Sequence, residues 1–197
     1  MITALSKRIT YFFYSKKVIT FDTIEIYQYG FEIIISTIIG FFITIMIGVL
    51  FRMIWLSLLY YIIFVVLRQF TGGYHAKTYF KCNLVFAVTT VFIFLLTKMA
   101  IVSEIYTRGI HSLLLFFSII TVWFGTPVEN KNKPLSEKQK YYNHLAGFIL
   151  TVILSIISGL LYYRKTLISA FIAFTLFIIS MMIVIAIPQE KEVDKHE

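Results

Sequence analysis

Runs of about twenty consecutive apolar residues recur along nearly the whole chain, and each is long enough to cross a hydrocarbon core of roughly 30 Å as a helix. The first, "FEIIISTIIGFFITIMIGVL" from Phe31 to Leu50, carries one charged side chain, Glu32. Of the 197 residues, 59% are hydrophobic and only 14% charged, a balance far from that of soluble globular domains. The fold class that follows is all-α, a polytopic membrane protein with no room for a separate soluble domain.

Six spans are expected: Phe31 to Leu50, Met53 to Leu67, Asn83 to Val102, Ile105 to Phe124, Leu145 to Tyr163 and Thr166 to Ile187. Asp22 followed by Glu25 resembles a capping box and predicts the start of the first spanning helix. Upstream, Ile2, Leu5, Ile9, Phe12 and Phe13 fall near helical spacing among Lys7, Arg8, Lys16 and Lys17. That is the pattern of an amphipathic helix lying in a membrane interface; an irregular basic leader is the alternative. The basic residues follow the first apolar ones and no long apolar core comes before a cleavage site, so a signal peptide is not expected. The chain therefore reads as one membrane-embedded domain over 1–197. It comprises an interfacial helix over 1–21, transmembrane helices over 22–187 and a polar tail over 188–197, expected to be disordered.

The net charge of +8 does not point to nucleic acid, because the basic residues are scattered between apolar runs and make no groove interleaved with aromatics. They fit membrane topology. With the amino terminus inside, the inner connections hold Lys7, Arg8, Lys16, Lys17, Arg68, Lys77, Lys81, Lys131, Lys133, Lys138, Lys140, Lys191 and Lys195. The outer ones hold Arg52, Lys98, Arg108, Arg164 and Lys165. Since cytoplasmic loops are enriched in Lys and Arg, both termini are expected on the cytoplasmic side. The long polar connection from Gly125 to His144, whose prolines disfavour helix, falls on that side too.

One short stretch departs from this pattern. "RQFTGGYHAKTYFKC", Arg68 to Cys82, collects an arginine, two glycines, a histidine and the only cysteine. One cysteine makes no internal disulfide, so the thiol serves either packing or chemistry. As a nucleophile it needs a neighbour to take its proton, and a histidine is the commonest choice. His75 and Cys82 are seven positions apart, about 10.5 Å along an unbroken helix at 1.5 Å per residue, too far to touch. Direct pairing therefore requires a break between them, and Gly72 and Gly73 permit one. His75 would then sit on a turn or re-entrant segment and Cys82 in the first turns of the third span, where the helix amino terminus, Arg68, Lys77 and Lys81 favour negative charge.

Other chemistries have less behind them. His75 and Cys82 are too few for a zinc site, His111 and His144 lack ligand spacing, and H-E-x-x-H is absent, so neither metal nor cofactor is expected. The Ser158-Gly159 pair is a slight basis for a serine protease. Glu32 and Glu104 lie at expected span edges, where nothing marks a transport path.

The succession Arg68, Gly72-Gly73, His75-Ala76 and Cys82 closely resembles the accessory gene regulator B (AgrB) family of Gram-positive quorum sensing. The chain length, the basic amino terminus, "YGFEIII" leading into the first span and the later "TPVENKNKPL" loop extend the resemblance over essentially the whole chain. It implies a membrane cysteine endopeptidase that cuts the carboxyl-terminal part from a small AgrD-type propeptide. Cys82 would form an acyl thioester, with His75 as base and then acid, and a thiol or hydroxyl of the precursor would close a thiolactone or lactone ring. Arg68 matches the motif arginine, binding a substrate carboxylate or stabilising charge; a snorkelling interface arginine is the alternative. Gly72 and Gly73 would shape the turn and offer amides to an oxyanion, or simply allow close helix packing. Lys131 and Lys133 would meet an acidic precursor tail or serve as a plain positive-inside anchor. The expected partners are the AgrD-type propeptide, the lipid bilayer and, from the family, a second copy in a homodimer. The competing classes are a small peptide transporter or exporter and a membrane partner without activity.

Overall fold

The computed structural model describes residues 2–74, 76, 78–102, 106–129, 135–164 and 166–193. Helices carry nearly all of these, and the described residues contain no strand. They are α1 (Ile2–Ser15), a short 3₁₀ turn (Phe21–Thr23), α2 (Ile24–Phe51), α3 (Ile54–Thr71), α4 (Tyr79–Val102), α5 (Arg108–Gly125), α6 (Glu137–Tyr162) and α7 (Leu167–Val193). Six of them, α2 to α7, are long and apolar enough to cross a membrane, as expected from the sequence.

Several boundaries differ from expectation, each for a local reason. The helix of the first span is not started by Asp22 and Glu25. Asp22 lies inside the 3₁₀ turn, which Thr20 and Thr23 close: the Thr20 N–H donates to Thr23 Oγ1 at 3.2 Å and that hydroxyl donates to Thr20 O at 3.0 Å. The first helix ends at Ser15, short of 21. The polar connection after α5 is shorter than Gly125 to His144, because Ser136 caps α6, exchanging bonds with Gln139 in a capping box. The tail expected to be irregular from 188 is helical to Val193, α7 continuing through Pro188; residues 194–197 lie outside the described residues.

α2 and α3 form a tight hairpin. Arg52 adopts a left-handed conformation (φ 57°), and its N–H and that of Met53 return to the last carbonyls of α2. Gly48 makes the closeness possible, since a Cβ there would meet Ser57 Oγ at 2.4 Å.

α7 is the central helix. It packs against α3, α4, α5 and α6, and Phe171, Ala173 and Ile183 on it are fully buried. Its hydroxyls at Thr175 and Ser180 donate to the carbonyls one turn back at 2.7 and 2.9 Å, so they enter the core with their hydrogen bonds made. α2 stands to one side, packed on α1, α3 and α4, with Phe13 of α1 stacked on Phe31 at 5.6 Å. This leaves a space between α2, α3 and α4.

Candidate active site

That space is a cavity of about 950 Å³. Its walls come from the three helices, from the turn after α3, from Pro127, Val128 and Glu129 after α5, and from Met182 of the central helix. Cys82 opens onto it.

The break demanded by the His75 to Cys82 spacing exists. α3 stops at Thr71 and α4 starts at Tyr79, with Gly72 at φ 67° and Gly73 at φ 128°, conformations that side chains rarely adopt. His75 itself lies outside the described residues, as do Lys77, Lys131 and Lys133. Cys82 sits in the first turn of α4, its N–H donating to Thr78 O at 3.0 Å. The positive end of that helix is therefore close to the thiol.

Arg68 holds the turn. Its guanidinium donates to the Tyr74 carbonyl, reaches Met182 Sδ at 3.8 Å and lies over the Phe64 ring, 5.5 Å from its centroid. It also lies within electrostatic reach of Cys82. The cation thus braces 72–74 against the end of α3 while facing the thiol's cavity, so it does not snorkel out to the interface.

Gly72 has a second reason to be glycine. A Cβ there would lie 2.2 Å from the Val128 carbonyl oxygen, and the Val128 N–H donates to Thr71 O at 2.9 Å. The "TGG" turn and the "TPVE" stretch, more than fifty positions apart in sequence, are therefore docked backbone to backbone. His144 secures the same loop from α6, its Nδ1 lying 2.9 Å from Thr126 O while its ring packs on Trp123. The Gly72 N–H donates to Arg68 O at 3.0 Å and so is not free for an oxyanion.

Sequence reasoning set Glu32 aside as a residue at a span edge; Glu104 lies outside the described residues. In the structure Glu32 is 8% exposed, two turns inside α2, and lines the cavity. Tyr79 donates to its Oε2 at 2.8 Å, and Ser6 of α1 and Gln28 to its Oε1 at 3.3 and 3.4 Å. One turn along both helices, Ser36 donates to Asn83 Oδ1 at 3.1 Å. Two polar rungs, Glu32 to Tyr79 and Ser36 to Asn83, thus tie α2 to α4 on either side of Cys82. A carboxylate inside an apolar run was the available signal, since such groups are costly to bury and mark function by default. Tyr79 and Asn83 gave none, because only the packing of α4 on α2 reveals their partners. Among the described residues, no three His, Cys, Asp or Glu side chains gather as a metal site would require.

A cysteine at a helix start, facing an internal cavity beside a glycine break in a six-span bundle, defines a class of helical membrane proteins with a candidate intramembrane thiol site. Comparison with known proteins narrows this. The accessory gene regulator B profile matches residues 6–186, and the chain belongs to that family, with a role in the accessory gene regulator system. It is 30% identical over 151 residues to an AgrB-like protein of Clostridium perfringens strain SM101, covering 71% of this chain and 69% of the relative. It is 28% identical over 152 residues to AgrB-like protein 2 of Clostridium perfringens strain 13, covering 72% and 69%. No solved structure matches the chain.

Proposed function

We propose that the protein is a membrane cysteine endopeptidase that cleaves the carboxyl-terminal part of an AgrD-type propeptide and promotes cyclisation of what remains. The observation that carries this is Cys82, the sole thiol, placed in the first turn of α4 on a cavity of about 950 Å³ that is large enough for several residues of a peptide. His75, by its place in the motif, takes the thiol proton. The thiolate attacks the scissile carbonyl, the C–N bond breaks, and His75 returns the proton to the departing amine. A thioester to Cys82 remains. A thiol or hydroxyl of the bound precursor then attacks this thioester, the bond to Cys82 breaks, and the ring closes as thiolactone or lactone.

Ring closure competes with hydrolysis, so the site must hold the inner nucleophile in place and limit water. A cavity walled by Phe64, Val65 and Phe86 within the apolar spans suits both needs, and well-oriented intramolecular reactions reach effective molarities of about 10⁵ M or more. Lys131 and Lys133 would meet an acidic precursor tail, and the distribution of basic residues supports a site on the cytoplasmic side.

The test is incubation of the purified protein in lipid nanodiscs with a synthetic precursor peptide, followed by intact-mass analysis. The wild type is expected to carry an acyl adduct and Cys82→Ala none. Full processing by Cys82→Ala would overturn the proposal, and no processing by the wild type would favour a transporter.

A further inference from the structure

Attack on a peptide carbonyl moves an electron pair onto its oxygen, and a site that performs this step needs a hydrogen-bond donor where that charge develops. In many hydrolases the nucleophile's own backbone N–H does this. Here it cannot, because the Cys82 N–H donates to Thr78 O at 3.0 Å within α4, and the Gly72 N–H is likewise engaged by Arg68 O. Tyr79, one turn before the thiol, donates its hydroxyl to Glu32. Another side chain on the cavity wall can supply the donor.

Resting on the proposed peptidase activity, we infer that the Asn83 carboxamide is the oxyanion donor of this site and that Ser36 is its positioning residue. Asn83 follows Cys82 directly and lines the same cavity. The Ser36 hydroxyl donates to its Oδ1 at 3.1 Å, which directs the NH₂ group, with its two donors, away from α2. Among the described residues no acceptor takes either of those hydrogens. A half-buried amide fixed by its oxygen, with its donors left unused beside a nucleophile, is preorganised for a charge that appears only during reaction.

The step balances without a further reactant. The Cys82 thiolate forms the C–S bond, the carbonyl π pair moves to oxygen, and an Asn83 N–H donates to that oxygen. On collapse the pair returns, the C–N bond breaks and the amine takes the proton from the general acid. The same donor serves the second tetrahedral intermediate, when the precursor's nucleophile attacks the thioester.

The test uses the full-length protein in nanodiscs with a synthetic precursor peptide, and reads two rates. One is acyl-adduct formation; the other is alkylation of Cys82 by iodoacetamide, a displacement at saturated carbon that develops no oxyanion. Asn83→Ala is expected to lower kcat for acylation on the order of a hundredfold with little change in KM and with alkylation at the wild-type rate. Asn83→Asp, which keeps the shape and the Ser36 bond but loses both donors, is expected to fall at least as far. Ser36→Ala is expected to lose roughly tenfold, and Ser36→Thr to recover most of it. Wild-type acylation rates in Asn83→Ala and Asn83→Asp would overturn the inference. So would a parallel loss of alkylation, which would mean that Asn83 merely places the thiol. If the wild type itself forms no adduct, the peptidase reading fails first and this inference with it.

Discussion

At one end of the bundle Tyr106, His111 and Ser158 form a chain of contacts: the Tyr106 hydroxyl lies 2.6 Å from His111 Nδ1, and His111 Nε2 lies 3.4 Å from Ser158 Oγ. At the other end Cys82 faces the cavity between α2, α3 and α4. By distance alone the first cluster looks more like a nucleophile with its base and orienting group. Yet His111 is 2% and Ser158 0% exposed, neither lines the cavity, and the Ser158 hydroxyl donates to Ser169 O at 2.8 Å. Along α5, His111 lies about 21 Å, at 1.5 Å per residue, from Gly125, which leads into the loop docked on the Gly72 turn. The first cluster is a satisfied polar core that ties α5, α6 and α7 together; the second leaves polar groups open to a space that a substrate can fill. Access and unused donors, more than short contacts, separate a site from a brace.

The comparison can be broken most sharply by exchanging the expected losses. Cys82→Ala is expected to abolish precursor cleavage, whereas Ser158→Ala should leave cleavage within about twofold of wild type while costing ~1 kcal/mol of stability. Cleavage that persists in the first variant and vanishes in the second would reverse the assignment of the two ends.

Next in size is Gly72→Ala, which sets a Cβ 2.2 Å from the Val128 oxygen at a residue with φ 67°. It should undock the loop after α5, destabilise the protein by roughly 2–4 kcal/mol and impair cleavage, as thermal unfolding in nanodiscs and the adduct assay would register. Wild-type behaviour would mean that the turn and the loop do not depend on their contact.

Glu32 allows a finer cut. Glu32→Gln keeps an acceptor for the Tyr79 hydroxyl, whereas Glu32→Ala leaves that hydroxyl without its partner, while Ser6 keeps its bond to Thr3 O. The alanine variant is expected to lose roughly tenfold in cleavage and the glutamine variant much less. Equal losses would indicate that the negative charge, rather than the hydrogen bond, matters.

The smallest effect belongs to the buried end. Burial, and then Tyr162, raise the Tyr106 hydroxyl above its ordinary value of 10.0. Its folded form therefore holds the proton more tightly than its unfolded form. The stabilisation is complete below about pH 10 and declines as the pH rises through the raised value. Tyr106→Phe should remove this alkaline decline from thermal unfolding curves and leave cleavage at neutral pH unchanged.

How far the sequence reaches is clearest along α2. Its apolar length specified a spanning helix, just as the glycine pair specified the interruption between α3 and α4 and the position of Cys82 just beyond it. These are local properties: run length sets a span, and a glycine pair permits dihedrals that stop a helix. Which faces of α2 and α4 meet was not legible, because both helices are apolar nearly all round. Lipid and protein core are equally apolar, so hydrophobic periodicity carries no rotational signal of the kind a soluble helix shows. Partners 47 positions apart, Glu32 with Tyr79 and Ser36 with Asn83, depend on that rotation, as does the fit of Gly72 beneath Val128. The sequence by itself determined the spans, the break and the thiol; the tertiary structure decided which polar groups surround it, because packing angle and rotation are set by contacts between helices and not within them.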